Sequence, residues 1–154
     1  FKLAMKSVNG ARVYVAAMCA GLLAASLETA IAYGATREAF SKPLIAHQGL
    51  AWSLADIATD LEALQALTRD AGLLVDQQKD AVMAAAHAKA FAGRVTLNGV
   101  GQCIQAMGAA GLRVEHWLGR HMAAAKIAGF TDGSSEMMYE RIAAGMVKAY
   151  GPSR

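Results

Sequence analysis

Five apolar residues, Leu50, Leu54, Ile57, Leu61 and Leu64, follow one another at intervals of four, three, four and three. That spacing winds one apolar stripe along a helix of 3.6 residues per turn, whereas a strand would scatter it over both faces. No polar–apolar alternation of strand length breaks the pattern elsewhere. Only two prolines punctuate the chain and alanine dominates it, which favours long helices with small contact residues.

The punctuation predicts a first helix from about Leu3 to Thr36, broken by Ser41-Lys42-Pro43. The Leu50–Leu64 helix follows and fades around Gly72 to Gln77, where a turn is expected. A third helix starts near Asp80 and carries Val82, Met83, Ala86, Ala90, Phe91, Val95 and Leu97 toward Gly108. A shorter one covers about Glu115 to Ile127, and the last begins after Gly133. Short connections between long amphipathic helices imply antiparallel neighbours, hence an all-α, up-and-down bundle. The absence of repeats and linkers makes residues 1–154 one domain, long enough to bury a real core. The start at Phe1, inside a helical pattern, suggests a piece of a longer protein.

Charge and composition exclude several classes. The net charge of +3 is small and its basic residues are scattered, so no nucleic-acid partner is expected. Cys19 and Cys103 stand far apart inside apolar helical patterns, which reads as buried free thiols in a reducing compartment. The uncharged run from Val13 to Leu27 is too short and too rich in Ala and Gly for a membrane span. With no leader recognisable, a cytoplasmic setting and no membrane partner are expected. His116 and His121 are five apart and turn to different faces, while His47 and His87 lie on other helices, so no metal is expected. There is no Gly-x-Ser-x-Gly elbow, and no strand precedes Gly108-Ala109-Ala110-Gly111.

The most informative stretch is Thr131-Asp132-Gly133-Ser134-Ser135-Glu136. Asp132 places a carboxylate beside a helix start, where free backbone N–H groups also point. A base and an oxyanion donor would then stand within one turn of each other. An ordinary capped helix start accounts for the same residues.

Three ordered motifs resemble the acyl-CoA dehydrogenase family. Tyr33 to Gln48 is similar to its Tyr-x-x-x-Arg-x-x-Phe-Gly-x-x-Leu followed by Gln. Gln105 to Gly111 resembles its Gln-x-x-Gly-Gly-x-Gly, and Asp132-Gly133-Ser134-Ser135-Glu136 its Glu-Gly-Thr-x-Gln/Glu. The separation of Gln105 from Asp132 also agrees with the family, and Ala86-His87-Ala88-Lys89 echoes its Ala-x-Ala-Lys helix.

The resemblance implies the carboxyl-terminal four-helix bundle of a longer flavoprotein, with FAD lying between subunits. Arg37 would hold the flavin pyrophosphate with its planar fork. Phe40, His47 and Gln48 would line the same region. Gln105, Gly108 and Ala109 would pass near the adenosine half, and Ser134 and Glu136 would bond its ribose and adenine end. The implied reaction is α,β-dehydrogenation of an acyl-CoA, with Asp132 in the place of the family's glutamate base. The backbone N–H at Asp132 would meet the thioester oxygen, while Asn9, Arg12 and Gly133 would lie beside the substrate. A tetramer, of one or two kinds of subunit, and an electron-transfer flavoprotein as acceptor are also implied.

Departures accompany the matches. Aspartate is one methylene shorter than glutamate, about 1.5 Å of reach. Thr131 replaces a frequent tyrosine, Ala123-Ala124 a frequent Arg-Asp pair, Ala39 a small hydroxyl residue and Ala109 a glycine. The shorter aspartate leaves open a bulky or branched acyl substrate, a nitroalkane-oxidase-like carbon acid, or a non-catalytic subunit; a helical oligomerisation module is the rival from another class.

Overall fold

The computed structural model describes residues 2–151, with side chains from Ser7 onward. Five helices account for nearly all of it: α1 (Lys2–Thr36), α2 (Gln48–Asp76), α3 (Val82–Met107), α4 (Leu118–Ala128) and α5 (Ser135–Tyr150). The α1, α2 and α3 helices pack on one another, and α3 carries α4 and α5 on its remaining sides. The expected all-α, up-and-down helical bundle is therefore observed.

Its core follows the predicted stripe. Leu54, Ile57 and Leu64 of α2 meet Val15, Cys19, Leu23 and Leu27 of α1, all below a tenth exposed. Each such buried aliphatic side chain contributes roughly 1.5–3 kcal/mol. Gly99 of α3 lies where α1 and α2 both press on it. A Cβ there would lie 2.5 Å from Leu23 Cδ1 and 3.3 Å from Ile57 Cγ2, so only glycine fits without repacking. Cys19 and Cys103 are buried free thiols, and burial pushes the Cys103 thiol up to about 11.

Two expectations shift in detail. Between α1 and α2 the chain forms a miniature hairpin, β1 (Glu38–Ala39) against β2 (Lys42–Pro43), antiparallel with Glu38 opposite Pro43. Two-residue strands are too short to show any alternation. The hairpin turns on Phe40 and Ser41, both with positive φ, as a two-residue primed turn demands. Farther on, α2 continues through Gly72 to Asp76, and the turn comes only at Gln77 to Ala81. Ala71 is fully buried and extends the core past the point where large apolar residues thin out.

The α1 helix is long and apolar enough from Ser7 to Thr36 to cross a membrane by length and composition. In the bundle it packs on α2 and α3 and buries Asn9, Arg12 and Ser26 along with its apolar face.

Candidate functional site

The residues singled out in the sequence occupy two places. The first is the α1–α2 connection. Arg37 follows the last turn of α1, its N–H bonded to Tyr33 O at 2.9 Å and its carbonyl accepting from Leu44 N at 2.8 Å. The backbone is thus fixed while the side chain stays exposed, and among the described residues Arg37 joins no salt bridge. Phe40 sits at the hairpin tip, 94% exposed, with its ring edge-on to His47 at 6.1 Å between centroids. His47 Nε2 lies 3.0 Å from Ala39 O, which ties the hairpin back to the start of α2. Gln48, the first residue of α2, is exposed.

Gln105, Gly108 and Ala109 lie where α3 ends, and all three are exposed. Gly108 has φ +61 and turns the chain out of the helix. Gln105 lines a cleft of about 590 Å³ between α3, α4 and α5 that Ser135 also lines. No hydrogen bond or ion pair among the described residues joins it to the Arg37 hairpin.

The second place is the turn from α4 to α5. Asp132 has φ 55, in the left-handed region that a non-glycine residue rarely adopts, and its side chain is exposed. Gly133 follows with φ +104, and a Cβ on it would press Met138 Cε at 3.3 Å. Ser134 caps α5, its hydroxyl accepting from Met137 N at 3.4 Å. The fully exposed Glu136 carboxyl is held below its usual range by its own backbone N–H and then by the Ser134 hydroxyl. The helix cap expected of these residues is therefore present, with Ser134 as the capping residue.

Underneath this turn lie two buried cations. Arg12 of α1 is 3% exposed; its Nε donates to Asp132 O at 3.2 Å and its Nη1 to Asn9 Oδ1 at 3.3 Å. The fold thus gathers Asn9, Arg12, Asp132 and Gly133, predicted together, across 120 residues of sequence. Lys89 of α3 is 2% exposed, and its Nζ donates to Gly133 O at 2.5 Å and Ala128 O at 3.4 Å. Sequence reading assigned it no role. The signal was its register: Ala85, Ala92 and Thr96 are buried on either side of it, so a charge stands in a core row. Burial, then the nearby Arg12, lowers the Lys89 ammonium from its ordinary value, opposed by Asp132 and Cys19. Arg12 is lowered by burial and Arg141, opposed by Asp132. Both cations bond carbonyl oxygens, and neither joins a salt bridge among the described residues.

Residues 1–147 match the family model described as acyl-CoA dehydrogenase, C-terminal domain. The chain belongs to the acyl-CoA dehydrogenase family. This is a family of flavoprotein oxidoreductases. The chain is 33% identical over 150 residues to the mitochondrial short-chain specific acyl-CoA dehydrogenase of Bos taurus, covering 97% of itself and 36% of that protein. It is similar to the structure of butyryl-CoA dehydrogenase from Megasphaera elsdenii, with a TM-score of 0.91 and 31% identity, covering 96% of itself and 38% of that chain. A structure of PigA with FAD and proline also matches, with a TM-score of 0.86 and 26% identity, covering 91% of itself and 37% of that chain. The chain therefore spans little more than a third of the length of these acyl-CoA dehydrogenase family members and neighbours.

Proposed function

We propose that this chain is the carboxyl-terminal helical domain of a longer FAD-dependent acyl-CoA dehydrogenase and that Asp132 is its general base. The observation that carries the reading is the Asp132 turn: an exposed carboxylate at the head of α5, its backbone held by a buried arginine and a buried lysine. A base must be held in place while its oxygen atoms stay free, and this arrangement does both.

The exposed groups fit a flavin shared with another part of the assembly. Arg37 offers a guanidinium without a protein carboxylate to the pyrophosphate. Phe40, His47 and Gln48 would line the same region, Gln105, Gly108 and Ala109 would pass near the adenosine half, and Ser134 and Glu136 would bond the ribose and adenine end. When bound, FAD supplies the acceptor for the hydride leaving the substrate's β carbon. The chain's own part is to remove the α proton through Asp132. The Asp132 N–H would donate to the thioester oxygen as charge builds there. Arg12, anchored by Asn9, keeps the Asp132 carbonyl turned inward, and Gly133 would lie beside the substrate.

The full-length protein would work as a tetramer in the cytoplasm and pass electrons to an electron-transfer flavoprotein. An aspartate at this position, one methylene shorter than glutamate, favours a substrate that brings its α carbon closer to the backbone.

Titrating the full-length flavoprotein anaerobically with acyl-CoA esters, from butyryl- to palmitoyl-CoA and including branched ones, tests the assignment. Bleaching of the flavin's visible absorbance by one of these esters is expected. Bound flavin that no ester bleaches would overturn it, and bleaching by a nitroalkane instead would move the enzyme to a different carbon acid.

A further inference from the structure

We propose that Lys89 is a positioning residue of the Asp132 site: together with Arg12 it clamps the peptide units on either side of Gly133. This deepens, and rests on, the reading of Asp132 as the base. An ammonium in a core row is unfavourable unless its protons find acceptors, and an apolar residue would fill the same space at no such cost. The acceptors of Lys89 are the carbonyls of Ala128 and Gly133, the two ends of the α4–α5 turn. Arg12 reaches the carbonyl between them, that of Asp132, from a different helix.

The consequence lies in peptide geometry. Every peptide bond among the described residues is trans, so each carbonyl points opposite to the N–H that follows it. With the carbonyls of Asp132 and Gly133 drawn toward buried cations, the N–H groups of Gly133 and Ser134 face the other way. Asp132 is held at φ 55, a conformation it would leave if the flanking peptide planes could rotate. Local bonds add to the two cations: Ser135 N–H donates to Gly129 O at 3.1 Å, and Phe130 N and Thr131 Oγ1 donate to Ile127 O at 2.9 and 3.1 Å. Lys89 thus fixes where the Asp132 carboxylate stands without touching it.

The test compares Lys89→Met and Lys89→Arg with the parent. Methionine keeps the volume and removes the buried charge, so the bundle is expected to fold. Amide hydrogen exchange on the chain should quicken about tenfold or more at residues 129–135 in Lys89→Met and leave the α1–α3 core unchanged. In the full-length holoenzyme with the acyl-CoA ester that bleaches its flavin, kcat should fall about thirtyfold with KM within about threefold, as expected for a displaced base. Lys89→Arg, which restores donors, should recover most of both. Unchanged exchange at the turn, exchange raised evenly over the whole chain, or a KM effect without a kcat effect would each overturn the proposal. If Asp132→Asn leaves turnover intact, the base assignment fails, and the exchange result still decides whether Lys89 holds the turn.

Discussion

The hairpin that carries Arg37 and the turn that carries Asp132 are both exposed, both contain residues of positive φ, and are built by opposite means. The hairpin is local: its backbone bonds link Arg37 with Tyr33 and Leu44, and His47 reaches back only eight residues to Ala39. The Asp132 turn is held from afar, by Arg12 at a separation of 120 residues and Lys89 at 44. Locally built segments present a side chain cheaply and tolerate its loss. A segment held by buried cations ties the position of its side chain to the integrity of the bundle. In the proposed enzyme this matches the two tasks, since a cofactor contact tolerates small displacements and a proton transfer does not.

Substitutions can separate the two modes. Arg12→Met removes the guanidinium from under Asp132 and leaves the Asp132 carbonyl and the Asn9 amide without their donor. Turnover by the full-length enzyme should fall about a hundredfold, and unfolding by urea should show a loss of about 1–3 kcal/mol. Arg37→Ala should do the reverse. Its unfolding free energy should stay within about 0.5 kcal/mol of the parent, while flavin retained through gel filtration drops at least about tenfold, the loss of a charge-assisted pyrophosphate contact. Equal stability losses in the two variants would erase the distinction. Ser134→Ala should cost about 1 kcal/mol in chemical denaturation by uncapping α5.

The smallest effect concerns His121, whose Nδ1 lies 2.9 Å from Ser26 Oγ and joins α4 to α1. Burial lowers its imidazole below the ordinary value, so the unfolded chain binds a proton more readily than the folded one. Stability therefore falls as pH drops through the ordinary imidazole value, about 6.5, until the folded imidazole is also protonated. Urea midpoints measured across that range should slope less in His121→Asn than in the parent.

The contrast also explains what the sequence made legible. Helices announced by a four-three stripe were found because their signal is local and repeated, as Leu50 to Leu64 shows. Motif residues such as Arg37, Gln105 and Asp132 were found because order along the chain is visible in a sequence. Lys89 was missed because its partners are carbonyl oxygens, which every residue possesses and no sequence pattern marks. The end of α2 was placed early because Ala71 and Gly72 give little hydrophobic signal although both face α1 or the core. The Phe40–Ser41 turn escaped notice because its two positive-φ positions hold neither glycine nor asparagine.

The most direct measurement is the rate of flavin bleaching, by the acyl-CoA ester found to bleach it, in the full-length protein and in Asp132→Asn, followed anaerobically by stopped flow. Asparagine keeps the size of the side chain and removes its basicity. The variant's rate should be lower by about 10²–10⁴-fold with flavin still bound. A flavin-loaded Asp132→Asn protein that bleaches at the parent rate would contradict it.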